Sequence, residues 1–289
     1  MTYDNDMVEI YERFVAERHS IYLARQRNDP QPWTLDPVLA NRKFTNMFRV
    51  LDPGSQFVFN LKDSNPVDVI ARLIFYRLTN LPKTWYAMRS VYGRYPVASD
   101  FAAFPDILVG ILHRYRDTGN QVFSGAYVII PEPGTNNDKI EGAVRVVRSF
   151  LVQNSGDFFL AETQKDRFEA LHATPGLGPF LSMQILTDWG YLVDDEPDLS
   201  FVVAGPGAKR GAKHLNPSLP AKDVIRDLTE NWRDTVLRIE GRPLTPMDVQ
   251  NTLCEFSKYV RETVTPRKIT PYRAANPGNQ TPPIFPKWW

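Results

Sequence analysis

Apolar residues recur at a near-helical period through most of the chain. Met7, Ile10, Tyr11, Phe14 and Ile21 or Tyr22 predict a first helix over about Asp4 to Arg27. Asp36-Pro37 opens a second, with aspartate as cap and proline in the first turn, running toward Leu51. The run VDVIARLIFYRL, Val67 to Leu78, reads as a largely buried helix in which Arg72 and Arg77 need partners, because a buried charge without one is costly. Further helices are predicted at Trp85 to Tyr92, Asp100 to Tyr115, Lys139 to Gln153, Gln164 to Leu171, Gly178 to Trp189, Ala221 to Ile239 and Pro246 to Glu262. One β-rich run, GAYVIIP at Gly125 to Pro131, reads as a small hairpin arm. The expected fold is all-α. Its expected organisation is an N-terminal helical lobe over 1–130, a second helical lobe over 139–263 and an extended tail over 264–289, with the Pro-Gly-Asn-Asp loop Pro131 to Asp138 as divider.

Composition narrows the function classes. With 289 residues and 43% apolar content the chain can bury a sizeable core. A single cysteine, Cys254, rules out an internal disulfide and a four-cysteine iron–sulfur or structural zinc site, and a reducing cytoplasm fits best. Neither a metal nor a cofactor is expected. No apolar stretch approaches the length of a membrane span, and no secretion signal opens the sequence, so no membrane role is expected. Net charge is only +1, so any nucleic-acid surface must be local. Past Glu262 the chain has no acidic residue, while Arg267, Lys268, Arg273 and Lys287 accompany Tyr272, Phe285, Trp288 and Trp289. Six prolines there forbid a regular helix, leaving a strap on the body or an arm on DNA.

Two glycine-bearing segments carry candidate chemistry. Leu171 to Ile185, LHATPGLGPFLSMQI, reads helix, tight turn, helix. Gly176 and Gly178 can take turn dihedrals closed to other residues, and with Thr174 they bring backbone N–H groups toward an anion such as a DNA phosphate. His172 is placed to cap the turn. The second segment, AGPGAKRG at Ala204 to Gly211, reads as a loop whose amides at Gly205 and Gly207, beside Lys209, Arg210 and Lys213, form an anion cradle. It lacks the Gly-Lys-Ser/Thr ending of a nucleotide-binding P-loop.

The first segment resembles the helix-hairpin-helix turn of base-excision DNA glycosylases, which implies a helix-hairpin-helix DNA glycosylase-like helical fold. The catalytic aspartate and lysine of that superfamily have no match at the corresponding places, although Asp194, Asp195 and Asp198 lie near. The wider set of FTNMFRVLDPGSQF (Phe44 to Phe57), LIFYRLTNLPKTW (Leu73 to Trp85), FSGAYVI (Phe123 to Ile129), TPGLGPFLSMQILTDWGY (Thr174 to Tyr191), FVVAGPGAKRG (Phe201 to Gly211) and MDVQNTLCEFSKYVR (Met247 to Arg261) resembles the α-glutamyl/putrescinyl-thymine pyrophosphorylases of phage thymine hypermodification. Those proteins share a helical domain with 5-hydroxymethyluracil DNA kinases. The missing P-loop points to the transferase branch.

The resemblance implies a substitution on DNA in an infected host cell: a pyrophosphorylated 5-hydroxymethyluracil loses pyrophosphate, and an amino acid or polyamine takes its place. The implied partners are double-stranded DNA carrying the modified thymine and the amine co-substrate. Lys209 and Arg210 would then stabilise the leaving pyrophosphate, and Asp52 or Glu255 would deprotonate the incoming ammonium. Asp52 has the alternative of pairing with Arg49 or capping a helix, and Glu255 that of pairing with Arg72 or Arg77. Arg49, Arg72, Arg77 and Lys258 are candidate binders of carboxylate or pyrophosphate, and Gln56 and Asn251 of the uracil edge. A base extruded from the duplex would find stacking surfaces among Phe48, Tyr76, Trp85, Tyr127 and Trp189. A DNA glycosylase and a non-catalytic DNA-binding module are the competing readings.

Overall fold

The structure is a computed structural model describing residues 3–125, 138–193, 195–231, 237–265 and 281–289. The expected strand and loop between Gly125 and Asp138, Tyr127, Asp194 and the stretch 266–280 of the tail therefore lie almost entirely outside the described residues. What is described is all-α apart from one pair of two-residue strands. In chain order the helices are α1 (Asn5–Gln26), α2 (Pro37–Asn41), α3 (Pro53–Val58), α4 (Pro66–Thr79), α5 (Pro82–Tyr92), α6 (Ala98–Ala102), α7 (Pro105–Asp117), α8 (Lys139–Ser149), α9 (Ser155–Leu160), α10 (Gln164–His172), α11 (Pro179–Val193), α12 (Pro206–Leu215), α13 (Ala221–Asn231) and α14 (Pro246–Val264). Strands β1 (Arg238–Ile239) and β2 (Arg242–Pro243) pair antiparallel ahead of α14. None of the described helices is long and apolar enough to cross a membrane.

The chain forms two compact units, each drawn from separated stretches of sequence. The first takes residues 1–52, 197–285 and 289. Its axis is α14, whose buried face meets aromatic rings of α1 and of the segment after α2. Tyr11 and Phe256 lie edge to face at 5.1 Å between centroids, as do Phe14 and Phe44 at 5.6 Å, while Phe14 and Tyr259 are tilted to each other at 4.9 Å. Asp4 caps α1 by accepting from the Met7 N–H at 3.1 Å, and Asp36 caps α2 through Val38 N at 2.7 Å.

The second predicted helix stops at Asn41 instead of running to Leu51, with only a 3-10 turn at Arg49–Leu51. Side chains from elsewhere claim the backbone groups that a helix would have used. Arg18 and Asn251 donate to the carbonyls of Phe44 and Asn46, and Glu255 accepts from Thr45 N. AGPGAKRG is likewise not a loop. Gly205 is the N-cap of α12, and Gly207 and Gly211 are helical. A Cβ on Gly207 would lie 2.2 Å from Cys254 Sγ, and one on Gly211 2.0 Å from the Leu253 carbonyl oxygen, so these glycines let α12 lie against α14.

The second unit holds residues 53–196 and 286–288. Its centre is α4, buried continuously from Val69 to Thr79. The predicted Asp100 to Tyr115 helix divides into α6 and α7 at Phe104-Pro105, because proline disfavours helical dihedrals in the residue before it. The helix α8 continues into a π-helical turn over Phe150–Asn154. The two buried arginines find partners here. Arg77 makes a two-pronged ion pair with Asp188 of α11, Nη2 to Oδ1 at 2.6 Å, with both side chains essentially free of solvent contact. Arg72 pairs with Asp63 at 2.9 Å and donates to the carbonyls of Pro96 and Leu61.

Candidate functional site

In the first unit the 43–52 segment and α14, about 200 residues apart in sequence, bring five of the candidate residues together. Arg49 donates from Nη1 to Asp52 Oδ2 at 3.2 Å, while Asp52 Oδ1 accepts from Asn46 N at 2.8 Å. Asn251 donates to the Asn46 carbonyl at 3.0 Å and to Thr45 Oγ1 at 3.1 Å. Glu255 accepts from Thr45 N at 3.1 Å and lies 3.5 Å from Lys258 Nζ, which also donates to the Lys43 carbonyl and sits over the Phe44 ring at 4.4 Å.

Two residues that the sequence reading passed over complete this cluster. Asp248 accepts from Arg49 N at 2.6 Å and from the Thr245 hydroxyl at 2.7 Å, and Arg18 donates to Asn46 Oδ1 at 2.7 Å. Two buried cations, Arg18 and Arg49, thus face two buried carboxylates, Asp52 and Asp248. Burial raises both carboxyls above the ordinary carboxylate range, and the arginines and N–H donors pull them back only in part. A capping box, Thr-x-x-Asp at Thr245 to Asp248, was the sequence signal for Asp248.

Closer to solvent, α12 meets α14 around Cys254. Lys209, Arg210 and Lys213 are exposed, and Glu255 and Lys258 are half-buried. Burial raises the Cys254 thiol, Glu255 raises it further, and Arg210 and Lys258 lower it, so these three charged groups share one neighbourhood. The result is a partly screened carboxylate bordered by cations from two helices, able to hold an anion while accepting a proton.

The second unit contains the hairpin turn. Helix α10 ends at His172, α11 begins at Pro179, and Leu177 N donates to the Thr174 carbonyl at 3.1 Å. Gly176 has φ +88°, open to glycine at little cost, while Gly178 is exposed with nothing close to its missing side chain. Thr174 is buried and accepts from Asn154 Nδ2 at 2.8 Å, and the His172 ring lies 3.1 Å from the Leu177 carbonyl. Gln56 is half-buried on α3 of the same unit. The sequence suggested Glu255 as a partner for Arg72 or Arg77; the ion pairs these buried guanidinium groups make are with Asp63 and Asp188. Phe48, Tyr76 and Trp85 are fully buried and Trp189 nearly so, which makes them core rings rather than open stacking faces. Asp195 is paired with Arg167 at 2.8 Å, and Asp198 accepts from Ser200. Of the tail, Trp288 donates to the Gly190 carbonyl at 3.1 Å in the second unit, and Trp289 stacks on Phe285 in the first.

Residues 5–268 match the family described as the helical domain of 5-hmdU DNA kinase. The chain belongs to that family. Among curated proteins it is similar to a 5-hmdU DNA kinase of Bacillus phage SP10, with 24% identity over 297 aligned positions. That alignment covers 90% of this chain but 46% of the phage protein, so the chain spans less than half the length of that relative. No solved structure matches.

Proposed function

We propose that this protein is a phage DNA-modifying transferase that displaces pyrophosphate from 5-pyrophosphoryloxymethyluracil in DNA with an amino acid or polyamine. The observation carrying this reading is the grouping of Glu255 and Lys258 with Arg210 around the α12–α14 contact. Membership in a helical-domain family whose phage relative is named for acting on 5-hmdU DNA supports the substrate.

In this mechanism the cations Lys209 and Arg210 neutralise the pyrophosphate as the exocyclic carbon–oxygen bond breaks and the leaving group takes the electron pair. The amine nitrogen forms its bond to the methylene carbon, and Glu255 accepts the ammonium proton. Lys258 and Asn251 border the incoming co-substrate. Asp52, buried and engaged with Arg49, holds the 43–52 segment in place beneath them. The Thr174 to Gly178 turn, the N-terminal amides of α12 at Gly205 and Gly207, and Lys213 hold DNA phosphates.

The test is direct. DNA carrying 5-pyrophosphoryloxymethyl-2′-deoxyuridine is incubated with the protein and with glutamate, glycine or putrescine, digested to nucleosides and analysed by mass spectrometry. One amine should appear on the nucleoside with release of pyrophosphate. Replacing Lys209 and Arg210 together by alanine should slow the reaction about 10²- to 10³-fold. An unchanged nucleoside with every amine rejects the proposal, and loss of the base with an abasic site left behind would establish a glycosylase instead.

A further inference from the structure

Between Val69 and Ser99 the chain carries no Asp or Glu, yet it carries Arg72, Arg77, Lys83, Arg89 and Arg94. Three of these cations are neutralised inside the second unit, Arg72 by Asp63, Arg77 by Asp188 and Arg94 by Asp100. The other two, Lys83 and Arg89, are exposed on α5 and have no carboxylate partner among the described residues. Tyr86 stands between them, three residues from each, so the three side chains are neighbours on the outer face of the helix. At 53% exposure it leaves more than half of a large aromatic residue open to solvent. Its inner side is fixed by Phe57 of α3, which meets it edge to face at 5.6 Å. Phe57 also meets Tyr95 edge to face at 6.4 Å, and the Arg89 guanidinium lies over the Tyr95 ring at 5.3 Å. One buried phenylalanine thus braces both the exposed ring and the ring that seats its neighbouring cation.

An open aromatic ring bracketed by two unneutralised cations asks for a partner that is flat and apolar at its centre and anionic on either side. An unpaired nucleotide base with its flanking phosphates has that form. An acidic peptide would satisfy the cations and leave the ring without a planar partner. Inside a duplex the faces of a base are covered by its neighbours, so a ring offered at a surface suits a single strand. We propose that the outer face of α5 binds a segment of single-stranded DNA, with a base stacked on Tyr86 and the neighbouring phosphates at Lys83 and Arg89. Those two positions are about 9 Å apart along the helix axis, a span that two long flexible cations adjust to the backbone of an extended strand. The bracing by Phe57 holds Tyr86 in place before the strand arrives, so little order has to be gained on binding. Stacking of this kind accepts any base and needs no closed pocket. The surface lies wholly within the second unit and concerns binding alone, independent of the reaction proposed above.

The experiment measures binding of the full chain by fluorescence anisotropy to three labelled probes: a short oligodeoxythymidine, the same phosphate backbone built from abasic residues, and a blunt duplex. Wild type should bind the oligodeoxythymidine about tenfold more tightly than the abasic strand, the gain from one stacked base. Tyr86→Ala should remove that advantage and leave duplex binding unchanged, whereas Tyr86→Phe, which keeps the ring, should retain it. Replacing Lys83 and Arg89 together by glutamine alters only exposed side chains, so the fold is not at stake. It should lower the slope of log affinity against log salt for the single strand by about 1.4, two phosphate contacts' worth. A tenfold preference retained by Tyr86→Ala, or a salt slope unchanged in the glutamine variant, overturns the inference. So does an equal loss of single-strand and duplex binding in Tyr86→Ala, which would make α5 a duplex contact, and so does wild type that fails to distinguish the first two probes. Amine transfer by wild type with single-strand binding indifferent to Tyr86 would sink this inference alone, and stacking lost in Tyr86→Ala with no transfer by wild type would sink the proposed reaction alone.

Discussion

Gly176→Ala isolates what the hairpin turn demands of its glycine. Two separable costs meet there. At φ +88° an alanine is strained, which costs about 1–2 kcal/mol. Its Cβ would also lie 2.6 Å from Val146 Cγ2, and Val146 is buried on α8, so relief requires moving a packed side chain at a further ~1–3 kcal/mol. The sum predicts a loss of roughly 2–5 kcal/mol, far above a typical exposed-position substitution. The two parts separate in a Val146→Ala background, where the colliding methyls are gone and only the backbone strain of about 1–2 kcal/mol remains. Urea unfolding of the four proteins, followed by circular dichroism and extrapolated to water, measures the difference as a coupling of ~1–3 kcal/mol. If Gly176→Ala costs the same with and without Val146, or costs less than about 0.5 kcal/mol in wild type, the account of the turn is wrong.

Two further outcomes test the packing and the buried charges. Asp188→Ala should lose about 3–5 kcal/mol by leaving Arg77 buried without its counter-charge, whereas Arg77→Met with Asp188→Leu should recover most of the loss; additive effects in denaturant titration would argue against the pair acting as a unit. His19, 5% exposed, has its pKa lowered to about 4, by burial first and by the Arg18 charge second. Between pH 6.5 and about 4 the unfolded chain therefore binds a proton that the folded chain refuses, so wild type should lose ~2–3 kcal/mol relative to His19→Phe as pH falls through that window. Parallel stability curves for the two proteins would contradict it.

Much of the fold was legible in one dimension because its signals are local. Apolar periodicity placed α1, α4, α5, α8, α10, α11 and α14 within a few residues at most ends, and Asp-Pro at Asp36-Pro37 marked a true helix start. Pro175, Gly176 and Gly178 marked the tight turn because a positive φ and the end of a helix are properties of the residues themselves. The need of Arg72 and Arg77 for partners was equally plain from their apolar flanks. The identity of those partners was not: Asp63 and Asp188 are chosen by how chain segments pack, and no spacing rule joins positions 77 and 188.

The same limit explains the places where structure departs from periodicity. AGPGAKRG has the composition of a loop, yet its glycines are there so that α12 can approach Leu253 and Cys254 of α14, a requirement visible only once both helices are in place. Residues 42–48 follow a helix start but do not continue it, because Arg18, Asn251 and Glu255 capture their backbone groups from distant positions. Helix starts, turns and the presence of buried charge were determined by the sequence alone, since each depends on a residue and its near neighbours. Which charges meet, which glycines are filled by a neighbour's side chain, and that residues 1–52 belong with 197–285 were decided only by tertiary packing, because long-range contacts carry no period for a linear reading to detect.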